Sequence, residues 1–238
     1  MMRVDYRIVI MLALFLTGCR EEIVDLKLTK SFYSRVSQSF LMLAREDVKD
    51  GKSLWANGSG FAVIENGTNY VYTARHVVID GCGNLPDRLY ATDVEGRSSE
   101  LDLNALEVPI GNHDVARFKI KEPITHGLRL SHRTPVYQET LYFFGDAFGA
   151  GVINAEVGKV VGIGPLEFEH TADIVKGMSG GPVVDADGLV VGVCQKGRKQ
   201  TAHQNGVTLP DDSKHLRVRK FGANLSKIRW KTFAPASK

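Results

Sequence analysis

The sequence of 238 residues lacks the features that mark several large classes of protein. It has only three cysteines, and no apolar run is long enough to span a bilayer comfortably as a stable anchor. The formal net charge of +3 is too slight to argue for a nucleic-acid partner. There is no internal repeat and no low-complexity segment. The composition, 43% hydrophobic and 24% charged, is that of an ordinary globular protein with one large or two small domains.

The N-terminus has the layout of a signal peptide. After a short polar start, residues 8–16 form an apolar run that ends in Leu-Thr-Gly-Cys at 16–19. These four residues resemble the bacterial lipobox, in which the cysteine is diacylated and becomes the mature N-terminus. The resemblance implies a signal peptide at 1–18, lipidation of Cys19 and a place in the bacterial cell envelope, facing the periplasm or exterior. A plain secretory signal and a buried N-terminal helix are the alternatives.

The remaining cysteines bear on disulfide formation. If Cys19 carries the lipid, Cys82 and Cys194 are left in an oxidising compartment. Two cysteines allow one disulfide, but nothing in the sequence brings them together, and both also suit small apolar sites. We therefore do not predict the bond.

After a polar tether at residues 19–34, the segment 35–200 alternates short strand patterns with turns. The clearest hairpin has Asn66-Gly67 at its turn, and another is predicted around residues 185–188. Helical periodicity is almost absent. This pattern predicts an all-β sandwich or barrel.

Residues 201–238 form a basic C-terminal extension with few acids. Within it, residues 216–219 alternate like an edge strand, and residues 223–230 suit a closing helix. A basic run is usually a solvated face of the protein. Near a lipid-anchored N-terminus it also suits contact with anionic lipid.

The run Gly-Met-Ser-Gly-Gly-Pro at residues 177–182 has the composition of an acyl-transfer site. A serine hydroxyl is a poor nucleophile until a base removes its proton and backbone N–H groups stabilise the oxyanion. Glycines let the backbone bend tightly and let N–H groups approach a substrate. By itself, the run suits an ordinary turn equally well.

Two further stretches lie upstream of this run. Gly-Ser-Gly-Phe at 58–61 leads to Thr-Ala-Arg-His-Val at 73–77, and Asp114 stands directly before an apolar strand. In this order, together with the serine run, they resemble the three motifs of the trypsin-fold serine peptidases, closest to the HtrA/Deg-type branch. The resemblance covers residues 35–200 and implies a trypsin-like peptidase domain of two packed six-stranded β-barrels.

The resemblance implies a role for each motif residue. Ser179 would attack the substrate carbonyl, His76 would take its proton and pass it to the leaving amine, and Asp114 would orient the imidazole. The backbone N–H groups of Gly177 and Ser179 would form the oxyanion hole. Taken singly, His76 also suits a surface histidine and Asp114 a turn residue, so the assignment depends on the three motifs together.

Two features depart from the family pattern. Met178 stands where digestive trypsin-like enzymes have Asp and where the HtrA branch commonly has Asn. An Asp there pairs with a newly cut N-terminus during zymogen activation, so Met178 argues against that mechanism. The sequence does not determine whether the oxyanion loop is formed at rest. The chain also ends before a PDZ domain would fit, so the resemblance does not carry over the regulation and oligomer formation of larger HtrA-type proteins.

Substrate selection depends on the residues near the S1 pocket. Asp173 lies six residues before Ser179, where trypsin-like enzymes carry the residue at the bottom of that pocket. A buried carboxylate there would select Lys or Arg. In the alternative, which we expect, the pocket is small or apolar and cleavage follows Val, Ala or Leu. The resemblance also implies that Gln195, Lys196 and Gly197 line the edge of the pocket.

No cofactor and no metal are predicted. Four histidines fit no zinc spacing, namely His113, His126, His132 and His170. The glycines of residues 145–151 lack the Lys-Ser/Thr of a phosphate loop. The sequence thus predicts a secreted, lipid-anchored serine endopeptidase that acts on protein or peptide substrates. The alternative is a non-catalytic peptide-binding or scaffold lipoprotein that keeps the fold without activity.

Overall fold

The computed structural model describes residues 30–195, 197–199, 218–226 and 228–234. The chain divides into two units, Met1–Val36 and Ser37–Lys238. The described part of the first unit belongs to a helical segment at 30–37. Among the described residues, no helix is both long and apolar enough to cross a membrane.

Two β-sheets account for most of the second unit. Its strands, in chain order, are β1 (Phe40–Lys49), β2 (Lys52–Glu65), β3 (Thr68–Thr73), β4 (Arg88–Thr92), β5 (Ser98–Glu100), β6 (Leu106–Pro109), β7 (Ala116–Ile120), β8 (Thr140–Asp146), β9 (Ile153–Ile163), β10 (Glu167–His170), β11 (Pro182–Val184), β12 (Val190–Cys194), β13 (Arg198–Lys199), β14 (Val218–Asn224) and β15 (Trp230–Thr232). Short helical turns are found at Arg75–Val78, Leu103–Ala105 and Ala147–Gly149.

The first sheet has the strand order β15-β6-β7-β3-β2-β1-β4-β5. Leu89 on β4 and Leu106 on β6 belong to the same buried core, together with Leu43 on β1 and Phe118 on β7. Four strands separate β4 from β6 in the sheet, yet their side chains meet in one core. The first sheet therefore curls around its apolar residues in the manner of a barrel.

The second sheet has the order β10-β9-β8-β11-β12-β14-β13, and β10 also pairs with β14. That extra pairing closes six strands into a complete barrel and leaves β13 outside the ring. Its core contains Leu141, Phe143, Val160 and Phe168, all at most 1% exposed. Closure removes the exposed strand edges that an open sheet of this size would present.

The all-β class predicted from the sequence is confirmed. The first sheet is curled, and the second sheet contains a closed six-stranded barrel, called the second barrel below. The Asn66-Gly67 hairpin is also present, since β2 and β3 pair with Glu65 opposite Thr68. The helix predicted at 223–230 is wrong, because β14 continues to Asn224 and β15 begins at Trp230. These two strands belong to different sheets, so the described part of residues 201–238 is built into the fold.

The structure leaves both described cysteines as free thiols. Cys82 is exposed, while Cys194 is buried in the core of the second barrel. Burial raises the pKa of the Cys194 thiol, since the thiolate would be poorly solvated there. Cys194 is thus an apolar core residue.

Candidate active site

His76 and Asp114 are brought together by the pairing of β3 with β7. The two strands are antiparallel, with Thr73 opposite Ala116. His76 lies in the helical turn that follows β3, and Asp114 lies two residues before β7 begins. Both therefore emerge at the same end of the first sheet. The local signal was readable in the sequence, because each residue stands at a strand terminus.

Both oxygens of the Asp114 carboxylate contact His76. Oδ2 lies 2.7 Å from the ring Nδ1, and Oδ1 accepts a hydrogen bond of 3.0 Å from the backbone N–H of His76. The two side chains are only 26% and 24% exposed. A carboxylate bound to Nδ1 favours the tautomer whose proton is on Nδ1, which leaves Nε2 free to accept a proton. The pair thus has the geometry of a general base and the group that orients it.

The loop that carries Ser179 lies against the segment that carries His76. The backbone N–H of Ser59 on β2 donates to the Ser179 carbonyl at 2.8 Å. Gly180 adopts φ of +93° and fits so closely that a Cβ there would overlap the Ser59 carbonyl and the Thr73 hydroxyl. Only glycine suits that position, for steric and conformational reasons. Gly180, the residue after Ser179, therefore packs against Thr73, which lies three residues before His76.

The predicted oxyanion donors are free in the described part of the chain. Neither the N–H of Gly177 nor that of Ser179 has a backbone acceptor among the described residues. Over the same residues, the Ser179 hydroxyl makes no hydrogen bond to His76. Hydrogen bonds between nucleophile and base are often long without substrate and tighten in the reacting complex.

The orientation of the peptide between Lys176 and Gly177 is fixed by a neighbouring loop. The backbone N–H of Phe148 donates to the Lys176 carbonyl at 2.7 Å. In a trans peptide the N–H points away from the C=O, so this bond turns the Gly177 N–H away from Phe148. Phe148 itself is 72% exposed. Its φ of +62° is uncommon for a bulky residue.

Met178, which departs from the family pattern, is buried and 1% exposed. Its backbone and Cβ lie directly against Gly145 on β8, where any side chain would overlap them. Its N–H donates to the Val175 carbonyl at 3.2 Å, and its carbonyl accepts from Gly181 at 3.1 Å. The loop is thus held at this point by apolar packing and backbone hydrogen bonds, without a polar side chain.

Asp173 does not have the environment that a trypsin-like pocket floor requires. Its side chain is 82% exposed and forms an ion pair with Lys220 of β14. The lysine lowers the pKa of the Asp173 carboxyl, chiefly through their hydrogen bond. A residue that selects Lys or Arg must be a buried, unpaired carboxylate, so this placement corrects the basic-selectivity alternative. The cause is the register of β14, which puts Lys220 beside Asp173.

Two of the other three predicted pocket residues are described, and they differ in burial. Gln195 is buried, its N–H donates to the Phe221 carbonyl at 3.0 Å, and its side-chain Oε1 has no hydrogen-bond partner among the described residues. Gly197 is exposed, one residue before β13. Lys196 lies outside the described residues. Among those described, no group of three or more His, Cys, Asp and Glu side chains is placed to hold a metal ion.

Sequence reasoning missed the role of one residue at the site, Ser59. Its buried hydroxyl donates to the Gly177 carbonyl at 2.8 Å and accepts from the Asp146 N–H at 2.9 Å. It thereby joins β2 of the first sheet to the serine loop and to β8 of the second. The only available signal was its place in the Gly-Ser-Gly-Phe stretch, which gives no indication of a partner more than a hundred residues away.

The family model described as "Trypsin-like peptidase domain" matches residues 58–193. This range is more than half of the chain and contains His76, Asp114 and Ser179. A comparison with curated proteins found no match.

Several solved protease structures share the fold. The Rv3671c protease from M. tuberculosis, in its active form, is 16% identical with a TM-score of 0.58, over 82% of this chain and 79% of that one. The serine endoprotease from Yersinia pestis is 18% identical with a TM-score of 0.58, over 82% and 61%. The HtrA-type protease AlgW, solved with a tripeptide, is 18% identical with a TM-score of 0.56, over 82% and 58%. The chain thus spans about three fifths of the last two, and at these identities the likeness concerns the fold.

Proposed function

Since the chain belongs to the trypsin-like peptidase family, we propose that it is a serine endopeptidase working through Ser179, His76 and Asp114. The observation that carries the proposal is the two-point contact of Asp114 with His76, at 2.7 and 3.0 Å. A surface histidine has no need of a partner that fixes both its ring and its backbone. A general base needs such a partner, because its tautomer and direction must be set before substrate arrives.

In the first half of the reaction, the Ser179 hydroxyl oxygen attacks the carbonyl carbon of the scissile peptide. Its proton passes to Nε2 of His76, and the imidazolium is stabilised by Asp114. The C–N bond then breaks as the leaving amine takes the proton from Nε2. The product is an acyl ester on Ser179 and a free amine.

In the second half, water attacks the acyl ester and gives its proton to Nε2 of His76. The C–O bond to Ser179 then breaks, the serine oxygen recovers a proton, and the carboxylic acid product leaves. In both halves the negative oxygen of the tetrahedral intermediate is bound by the N–H groups of Gly177 and Ser179. Removing one such donor in a serine protease costs about 10²–10³ in kcat.

The substrates we propose are proteins or peptides with a small apolar residue before the cleaved bond. Two observations support the apolar pocket. Asp173 is exposed and paired with Lys220, and Gln195, at the pocket edge, is buried without a charged partner in the described residues. No cofactor takes part in these steps.

We also propose that the protein is lipid-anchored through Cys19 in the bacterial cell envelope. Cys19 and the signal peptide lie outside the described residues, so the proposal rests on the sequence of residues 8–19. Two or more acyl chains give firm attachment, since each buried methylene contributes about 0.8 kcal/mol.

The alternative is a non-catalytic protein that binds peptides with the same fold. The feature in its favour is the missing hydrogen bond between Ser179 and His76 among the described residues. A fluorophosphonate distinguishes the two functions, since it bonds covalently only to a serine that a base activates. Wild-type protein that labels at Ser179 is a peptidase, and protein that stays unlabelled is a binding module.

A further inference from the structure

Arg117 lies on the outer side of the first sheet, away from the reacting groups, in an unusual set of contacts. Its side chain is 10% exposed, although arginine is rarely buried to this degree without partners. Nε lies 2.6 Å from Glu107 Oε2, and a terminal nitrogen lies 2.8 Å from Glu65 Oε2 and 2.9 Å from the Tyr72 hydroxyl. The guanidinium therefore joins three strands, β2, β6 and β3.

Two aromatic rings enclose the same guanidinium. Its central carbon lies 4.1 Å from the ring centre of Tyr70 on β3 and 4.3 Å from that of Trp230 on β15. Cation–π contacts at such distances are attractive, and more so when water is excluded. Trp230 also meets Tyr72 edge to face, with ring centres 5.5 Å apart. We call Arg117, Tyr70 and Trp230, with the two glutamates Glu65 and Glu107, the arginine clamp.

In the β3–β7 ladder, the clamp lies one residue pair away from the end that leads to His76 and Asp114. Arg117 is directly opposite Tyr72, and the adjacent pair is Thr73 with Ala116. On β3 the chain continues from Thr73 and reaches His76 three residues later. On β7, Asp114 lies two residues before Ala116. The position of Asp114 against His76 thus depends on how firmly β3 and β7 are held at this end.

Apolar packing does not fill the space around the clamp. A cavity of about 320 Å³ adjoins it, lined by Glu65, Tyr70, Arg117 and Trp230 among other residues. On this side of the β3–β7 ladder, the polar and cation–π contacts of Arg117 therefore add to the backbone pairing of the two strands. β15 closes the arrangement, since Trp230 pairs with Pro109 of β6 and the Arg229 carbonyl accepts from Ile110 at 2.7 Å.

We propose that Arg117 is a positioning residue for the reaction, and that Trp230 completes its clamp from the C-terminal strand. This inference rests on the proposed function. The clamp holds β7 against β3, and so holds Asp114 at its distance from His76. A misplacement of about 1 Å in a catalytic group typically costs about 10²-fold in rate, so a small shift is enough to be measured.

The test compares Arg117→Met with the wild type in the full-length protein. Each preparation is first titrated with a fluorophosphonate, so that rates are expressed per reactive Ser179. For Arg117→Met we expect kcat on a peptide substrate to fall about 10- to 100-fold, with KM changed less than about threefold. We also expect the acid limb of the pH–rate profile to move to lower pH, because a loosened Asp114 stabilises the imidazolium less.

Arg133→Met is the matched control. Arg133 also pairs with two carboxylates, Glu139 at 2.5 Å and Asp185 at 2.8 Å, but it lies in the segment between β7 and β8 and takes no part in the β3–β7 pairing. We expect this variant to keep the wild-type kcat and pH profile, whatever its melting temperature. If Arg117→Met does not fold, Trp230→Leu decides the matter, since it removes one ring and leaves every ion pair in place.

Three outcomes distinguish the two proposals. A lowered kcat and shifted acid limb in Arg117→Met or Trp230→Leu, absent in Arg133→Met, support the clamp. Wild-type kcat and pH profile per reactive serine, with only a lowered melting temperature, overturn it while the peptidase assignment stands. A wild-type protein that neither labels nor cleaves overturns the proposed function and the clamp with it.

Discussion

The buried hydroxyl of Ser59 donates a hydrogen bond of 2.8 Å to the carbonyl of Gly177, which joins the first sheet to the loop that carries the nucleophile. Ser59 is 0% exposed, and its hydroxyl also accepts from the N–H of Asp146. The N–H of the same residue, on the preceding Lys176–Gly177 peptide, is one of the two proposed oxyanion donors. The Ser59 hydroxyl is thus one of the contacts that hold the oxyanion loop against the first sheet.

Replacing Ser59 by alanine should therefore impair the chemistry more than the fold. The change leaves the Gly177 carbonyl and the Asp146 N–H buried without partners, at about 1–3 kcal/mol of unfolding free energy for each. We expect kcat to fall by at least about tenfold with KM nearly unchanged, since a shift of the loop that carries the oxyanion donors acts on the transition state. Steady-state kinetics and thermal unfolding check both parts.

Ser53→Ala is the control for this variant. Ser53 lies on the same strand and donates to Glu46 at 2.5 Å, far from the serine loop. It should keep wild-type kinetics. Equal kcat values for Ser59→Ala and wild type would show that the Ser59 hydrogen bond does not shape the oxyanion site.

The exposed position of Asp173 leads to a prediction about specificity. Asp173→Ser should leave the cleavage preference unchanged within about twofold, because its carboxylate is neutralised by Lys220 at the surface, and such pairs contribute little. Profiling on a peptide library should show cleavage after Val, Ala or Leu in wild type and variant alike. Lys220→Met, which removes the other partner, should give the same profile. A selective loss of cleavage after Lys or Arg in Asp173→Ser would restore the trypsin-like pocket.

His170 should make the second barrel sensitive to acid. Its ring is buried and packs on Phe143 with ring centres 4.0 Å apart. Burial lowers its pKa to about 4, and Lys220 adds to the shift, while the Phe221 carbonyl and Glu169 oppose it. The unfolded chain takes up a proton near pH 6.5, so stability falls as pH drops from 6.5 toward 4, by about 3 kcal/mol in all.

His170→Phe keeps the ring and removes the titration. Its unfolding free energy should exceed that of wild type at pH 4.5 and differ from it much less at pH 8. Urea titrations at the two pH values measure this. The exposed His126→Gln serves as control and should track wild type. Parallel pH dependences for His170→Phe and wild type would contradict the buried, neutral imidazole.

The motifs predicted from the sequence were those whose signal is local. Asn66-Gly67 specifies a turn by its own conformational preferences, and His76 and Asp114 stand at the ends of recognisable strands. Long-range pairing was not readable in the same way. Nothing near Lys220 in the sequence indicates that β14 will place it beside Asp173. The strand predicted at 216–219 overlaps only the start of β14, and β15 was not predicted. Trp230 likewise became informative only once β15 was seen to pair with β6.

The lipid anchor is tested by the mature N-terminus. If residues 16–19 are a lipobox, mass spectrometry should find Cys19 as the first residue, carrying acyl chains, and the protein should partition into detergent. Cys19→Ser should leave the protein unlipidated. An unmodified residue other than Cys19 at the mature N-terminus would refute the anchor, without bearing on the peptidase assignment.

The central claim is that Ser179 is a nucleophile activated by His76. Its most direct test is fluorophosphonate labelling of wild type, Ser179→Ala and His76→Ala, with the adduct located by peptide mass spectrometry and casein cleavage followed in parallel. We predict one adduct, on Ser179 of the wild type, and none in either variant, with kcat lowered by about 10⁶ in folded Ser179→Ala. An unlabelled wild type, or casein cleavage by folded Ser179→Ala at the wild-type rate, would contradict the claim.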